Sequence, residues 1–153
     1  MSVAFRRESD EEHKEPRFEL PLPPGPNLVT HRGYELIKTR TEALEAAVTS
    51  AATDEQRAEL QRDLRYWRSR LATAHIAPLP NGDAVAFGTR VTIEQGGGRR
   101  TLTIVGHDEA DPASDLIAFG SPLAQALMGA EPDDEISMPN SVDALRVISV
   151  EPA

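Results

Sequence analysis

The chain contains no cysteine, and its 153 residues include one tryptophan, two tyrosines and four phenylalanines. The first absence excludes disulfides, thiolate metal ligands and a cysteine nucleophile, and it suits a reducing compartment. The second leaves little material for an aromatic substrate pocket. No apolar run approaches the roughly 18 residues of a membrane span. Met1–Arg7 also lacks the apolar centre of a secretory signal, so the sequence reads as a cytoplasmic protein without membrane contact. The four histidines, His13, His31, His75 and His107, show no H-x-x-x-H or H-E-x-x-H spacing, and no intrinsic metal site is expected. There is no G-x-S-x-G elbow for a serine nucleophile.

Basic charge is also scarce. The net charge is −9, which argues against holding duplex DNA by its phosphates. Its distribution is uneven: residues 1–30 carry −2, residues 31–77 carry +1, and residues 78–153 carry −8. An acidic C-terminal part joined to an arginine-bearing middle suits a protein partner with basic surfaces, with nucleic acid met only indirectly.

Residues 1–29 mix charged residues with five of the chain's twelve prolines, and are expected to form a flexible, acidic, proline-rich leader. Thr30 then caps a helix. Ile37, Thr41, Leu44, Val48 and Ala51 recur at steps of four and three, as do Leu60, Leu64, Trp67, Leu71 and Ala74. Two such seams pair in a constant antiparallel register, Ile37 opposite Ala74 and Ala51 opposite Leu60, so a coiled-coil hairpin is expected over residues 30–77. Thr53 and Gln56 form a T-x-x-Q capping box that starts the second helix. Asp54 and Glu55 then sit at the hairpin tip, where carboxylates also favour the helix dipole.

Pro78, Pro80 and Asn81-Gly82 interrupt the pattern. Beyond them, Ala84–Phe87, Arg90–Gln95, Arg99–Val105, Leu116–Phe119, Glu135–Met138 and Val142–Val150 read as strands. Gly96-Gly97-Gly98 reads as a hairpin loop; no Lys-Ser/Thr follows it, as a phosphate cradle requires. Ser121 and Pro122 specify the cap and first position of a short helix that Gly129 ends. Residues 78–153 are thus expected to form a mostly antiparallel sheet with one short helix, and the chain as a whole an α+β protein. Read by themselves, Asp108, Glu109 and Asp111 form a solvated acidic loop or a patch for a cationic partner.

The run IVGHDEAD (Ile104–Asp111), followed after a short strand by SPLAQALMG (Ser121–Gly129), resembles the C-terminal domain of the bacterial GreA/GreB transcript-cleavage factors. The resemblance implies an FKBP-like sheet that docks at the rim of the RNA polymerase secondary channel and a coiled-coil hairpin that enters it. It implies that Asp108, Glu109, Ala110, Asp111, Ser121, Pro122, Leu123 and Ala124 form or support the rim contact as partner-binding residues. Asp54 and Glu55 become the acidic tip pair that helps hold the second Mg2+ of the polymerase active centre, where two-metal chemistry hydrolyses backtracked RNA. The factor, expected to be a monomer, lends ligands and is not itself an enzyme. The arm departs from the family pattern: Ile37 to Ala51 span roughly 21 Å at 1.5 Å per residue, and the tip reads ATDEQRAEL. This is similar to short-armed relatives such as the regulator of nucleoside diphosphate kinase, which implies a channel binder competing with true cleavage factors. A second reading is an interaction module unrelated to polymerase. A prolyl isomerase would follow from the sheet type alone, which does not carry activity.

Overall fold

A computed structural model describes residues 19–138 and 141–153; the expectation for residues 1–18 lies outside them. The chain runs β1 (Leu28–Val29), α1 (His31–Thr49), α2 (Asp54–Thr73), β2 (His75–Ile76), β3 (Thr89–Gln95), β4 (Gly98–Val105), β5 (Leu116–Ala118), α3 (Pro122–Leu127), β6 (Glu135–Ile136) and β7 (Leu145–Pro152). It is a mixed α+β protein with two long helices and one five-stranded sheet ordered β5-β4-β3-β7-β6.

The helices begin where their caps dictate. Thr30 Oγ1 accepts from the Gly33 amide at 2.9 Å, and Thr53 Oγ1 accepts from the Gln56 amide at 3.1 Å. The return bond of the expected capping box shifts by one residue, because the Gln56 side-chain Oε1 accepts from the Ala52 amide at 3.2 Å. The turn occupies Ser50–Thr53, so Asp54 and Glu55 do open α2. Ile37, Thr41, Leu44 and Leu64 of the two seams are buried. Trp67 is half-buried, edge-on to Tyr66 at 5.3 Å between ring centroids, with the Arg40 guanidinium 5.9 Å from its ring.

Alternation in β3 and β4 sends Val91, Ile93, Leu102 and Ile104 to one face, where they meet Leu145 and Val147 of β7 and Ala124 and Leu127 of α3. Each valine, leucine or isoleucine among them contributes about 1.5–3 kcal/mol by leaving water. Pairing is antiparallel from β4 through β6, while β5 joins β4 in parallel. The β3–β4 turn is Gly96-Gly97, both at positive φ, and Gly98 already belongs to β4. α3 starts at Ser121 and Pro122 and has Gly129 beyond its C-cap, as its sequence specifies.

Three expectations are corrected. Ala84–Phe87 form no strand: Val85 is buried and exchanges two backbone bonds of 2.8 Å with Gly129 and Ala130, but a turn at Phe87-Gly88, tied by Thr89 Oγ1 to Ala86 O at 2.7 Å, ends the pairing. The last strand begins at Leu145, since Val142 is fully exposed and has no sheet face to fill. The leader also ends sooner than residue 29. Asn27 and Val29 are buried, and β1 pairs in parallel with β2 across the base of the helical hairpin.

Candidate functional site

The loop after β4 lies where the hairpin base meets the sheet. At Gly106 the backbone passes so close to β1 that an added Cβ would lie 2.4 Å from the Leu28 carbonyl oxygen. Only glycine fits there, and the following turn, His107–Glu109, is thereby pressed against α1 and α2.

Asp108 faces α2. Its Oδ2 accepts from Arg70 Nε at 2.6 Å and its Oδ1 from the Tyr66 hydroxyl at 2.5 Å. The Arg70 and Asp108 side chains are only 6% and 5% exposed. Arg70 is satisfied further: its Nη2 donates to Asn27 Oδ1 at 2.7 Å, while Asn27 Nδ2 donates to the Arg70 carbonyl at 2.8 Å. Burial of an ion pair is costly unless the remaining donors and acceptors find partners, and here both carboxylate oxygens do. Tyr66 is pushed up to about 12, first by burial, then by its hydrogen bond to the Asp108 carboxylate and that group's charge; the Arg70 charge opposes the shift.

Glu109 faces α1. Its Oε1 accepts from the Thr30 hydroxyl at 2.5 Å and its Oε2 from Arg32 Nη1 at 2.8 Å. The carboxylate side chain is 4% exposed although Arg32 is 66% exposed. Thr30 therefore caps α1 with its oxygen and holds the sheet loop with its proton. Gly33 makes room, since a Cβ there would lie 2.8 Å from Glu109 Oε1.

Asp108 and Glu109, expected at a partner surface, are thus buried and committed within the chain. They clamp the sheet loop to both helices. Ala124 is fully buried in the core and supports the surface from behind. Of the remaining motif residues, Asp111 and Pro122 are exposed, whereas Ala110, Ser121 and Leu123 are half-buried. Asp111 Oδ2 accepts from the Ser114 hydroxyl at 2.9 Å, and Ser121 Oγ accepts from the Ala124 amide at 3.3 Å. At the far end of the hairpin, Asp54 is fully exposed and accepts from Arg57 at 2.8 Å. Among the described residues no three His, Asp or Glu side chains gather as a metal site, and no helix is long and apolar enough to cross a membrane.

Sequence reasoning missed Arg70, Tyr66, Thr30 and Arg32 as partners of the motif acids, and Asn27 as the support of Arg70. Arg70 lies off the apolar seam of α2, and the contacts join residues 38 to 79 positions apart.

The family model "Transcription elongation factor, GreA/GreB, C-term" matches residues 79–152. A transcription elongation factor GreA from Desulfovibrio desulfuricans is 40% identical over 91 residues, covering 57% of this chain and 56% of that protein. A GreA from Legionella pneumophila (strain Corby) is 32% identical over 128 residues, covering 81% of this chain and 78% of that protein. The chain therefore spans little more than half of the first relative and over three quarters of the second. Among solved structures, the GreA factor homolog 1 (Gfh1) protein of Thermus thermophilus aligns over 83% of this chain and 99% of its own, at 20% identity and a TM-score of 0.41.

Proposed function

This chain belongs to the GreA/GreB family of transcription elongation factors, and from that premise we propose that it acts on RNA polymerase in the cytoplasm, as a monomer, at the secondary channel. The sheet module, residues 78–153 and FKBP-like in this reading, docks at the channel rim through Asp111, Ser121, Pro122 and Leu123. The hairpin, residues 30–77, is a short coiled coil that enters the channel.

The observation that carries this reading is the clamp. Asp108 to Arg70 and Tyr66, and Glu109 to Thr30 and Arg32, fix the arm to the module bearing the family motifs. Docking one then aims the other. A rigid positioning device of this kind confers orientation before any chemistry takes place.

Within this function the tip favours occupancy of the channel over delivery of metal ligands. Asp54 is already engaged by Arg57, and α1 and α2 have 19 and 20 residues, a rise of only about 30 Å. Longer arms characterise the cleavage factors that the chain resembles. The hydrolysis and its Mg2+ belong to the polymerase, and this chain brings no metal or cofactor of its own.

The test has two parts. Purified protein is assayed for binding to core RNA polymerase, and a stalled, backtracked elongation complex is assayed for RNA cleavage with and without it. Binding, with inhibition of an authentic cleavage factor and no stimulation, is expected. Failure to bind core polymerase would overturn the assignment. Stimulation that is lost in an Asp54→Ala/Glu55→Ala variant would reinstate the tip pair as metal ligands.

A further inference from the structure

The segment before the hairpin lies against the motif surface. Glu19 is joined to Arg65 of α2, with Nε at 2.9 and 3.1 Å from the two carboxylate oxygens and Nη2 at 2.8 Å. From there the chain crosses to Asn27, which is locked to Arg70. Between these two anchors, Pro23, Pro24 and Pro26 share a cavity of about 400 Å³ with Arg70, His107 and the segment Ala118–Ser121. That segment leads directly into Ser121–Leu123, the surface assigned above to the rim contact.

Its attachment is of unequal strength along its length. The Asn27 end is buried, and the Asn27 carbonyl accepts from the His75 amide at 2.9 Å. Residues 19–26 make no backbone–backbone hydrogen bond among the described residues. Pro21, Pro23, Pro24 and Pro26 have no amide proton to give, which favours an extended course over pairing with a neighbouring strand. The other anchor, Glu19–Arg65, is 57% and 55% exposed. An exposed pair of this kind is weak and is screened by salt. A segment with one fixed end, one weak end and an unfilled space beneath it can be lifted without unfolding the rest.

We propose that Glu19–Pro26 is a displaceable strap that covers the Ala118–Ser121 surface, hinged at Asn27 and latched by Glu19–Arg65, and that its release exposes this surface to a protein partner. The identity of that partner, RNA polymerase, rests on the reading above. The strap itself does not.

The experiment uses the full chain, which has no cysteine, so Ala118→Cys places a single thiol at the half-buried floor of the cavity. Maleimide labelling of that thiol is compared alone and with Glu19→Gln or Arg65→Gln. The thermal midpoints serve as a control for folding. Each latch variant is expected to label about two- to fivefold faster, the equilibrium factor that an exposed ion pair is worth. High salt should speed the parent and leave the latch variants unchanged. Equal labelling rates in all of them would overturn the strap. The same proteins without Ala118→Cys are then titrated with core RNA polymerase, and the latch variants are expected to bind tighter by a similar factor. Faster labelling with binding of unchanged affinity would overturn the claim that the strap masks the partner surface. Faster labelling with no polymerase binding in any variant would support the strap and overturn the polymerase assignment instead.

Discussion

The Asp108 carboxylate and the Arg70 guanidinium meet at 2.6 Å with their side chains 5% and 6% exposed, and they join the sheet to the second long helix. Losing one partner strands the other in a dry site. Asp108→Ala is expected to destabilise the protein by about 3–5 kcal/mol. Replacing both, as in Arg70→Met/Asp108→Leu, should recover part of that loss, because no unpaired charge remains while the Tyr66 hydroxyl and Asn27 Oδ1 still lose their partners. Urea unfolding midpoints of the three variants check this; equal losses in the single and double variants would show that the pair itself contributes net stability.

Gly106→Ala tests the close approach beneath β1. The added methyl would sit 2.4 Å from a backbone oxygen, which cannot rotate aside. A loss of about 1–3 kcal/mol or more is expected. Gly33→Ala should cost less, although its Cβ would lie 2.8 Å from Glu109 Oε1. The obstacle there is a side chain, and the exchange gains about 1 kcal/mol of helix propensity.

Tyr66 makes stability fall at alkaline pH. Its ordinary value is 10.0, and it is raised to about 12 in the folded chain, chiefly by burial and by the Asp108 bond. Between these values the unfolded chain loses the proton while the folded chain keeps it, so stability declines as pH rises from about 10 to 12 and is unaffected by this group below that window. Tyr66→Phe should remove this component of the decline. Unfolding midpoints measured from pH 8 to 11.5 decide it: parallel curves would sink the prediction.

For the surface that remains exposed, Pro122→Glu is expected to weaken binding to core polymerase at least tenfold while the fold is retained. Asp108→Asn, compared at a temperature where the variant remains folded, should leave the rim contact intact, because the Asp108 side chain is buried away from it. Titration of labelled protein with core polymerase separates the two, and a larger loss from Asp108→Asn than from Pro122→Glu would return the buried acid to the interface.

Much of the fold was legible because its signals are local. The cap oxygens of Thr30, Thr53 and Ser121 and the alternation around Gly96-Gly97 act within a few residues, and each element starts or turns near where they place it. The strands β1 and β2 have two residues each, too few for a period, and they pair across 47 positions. Asp108 and Glu109 look solvated in sequence because carboxylates in a loop usually are. Their burial depends on an arginine, a tyrosine and a threonine delivered by distant helices, which no spacing rule near His107 announces. The motif acids stand out in the sequence, whereas the partners that Asp108 and Glu109 take within the fold do not.

The pairing of β1 with β2 has one more consequence. His75 donates to the Asn27 carbonyl at 2.9 Å and Ala77 to that of Val29 at 3.0 Å, so the chain enters and leaves the hairpin through a single closed neck. Whatever lies beyond that neck is a cassette. Matched heptads can be added to or removed from α1 and α2 without shifting Asn27, Arg70 or the loop below Gly106, which makes reach a separately adjustable dimension of the molecule.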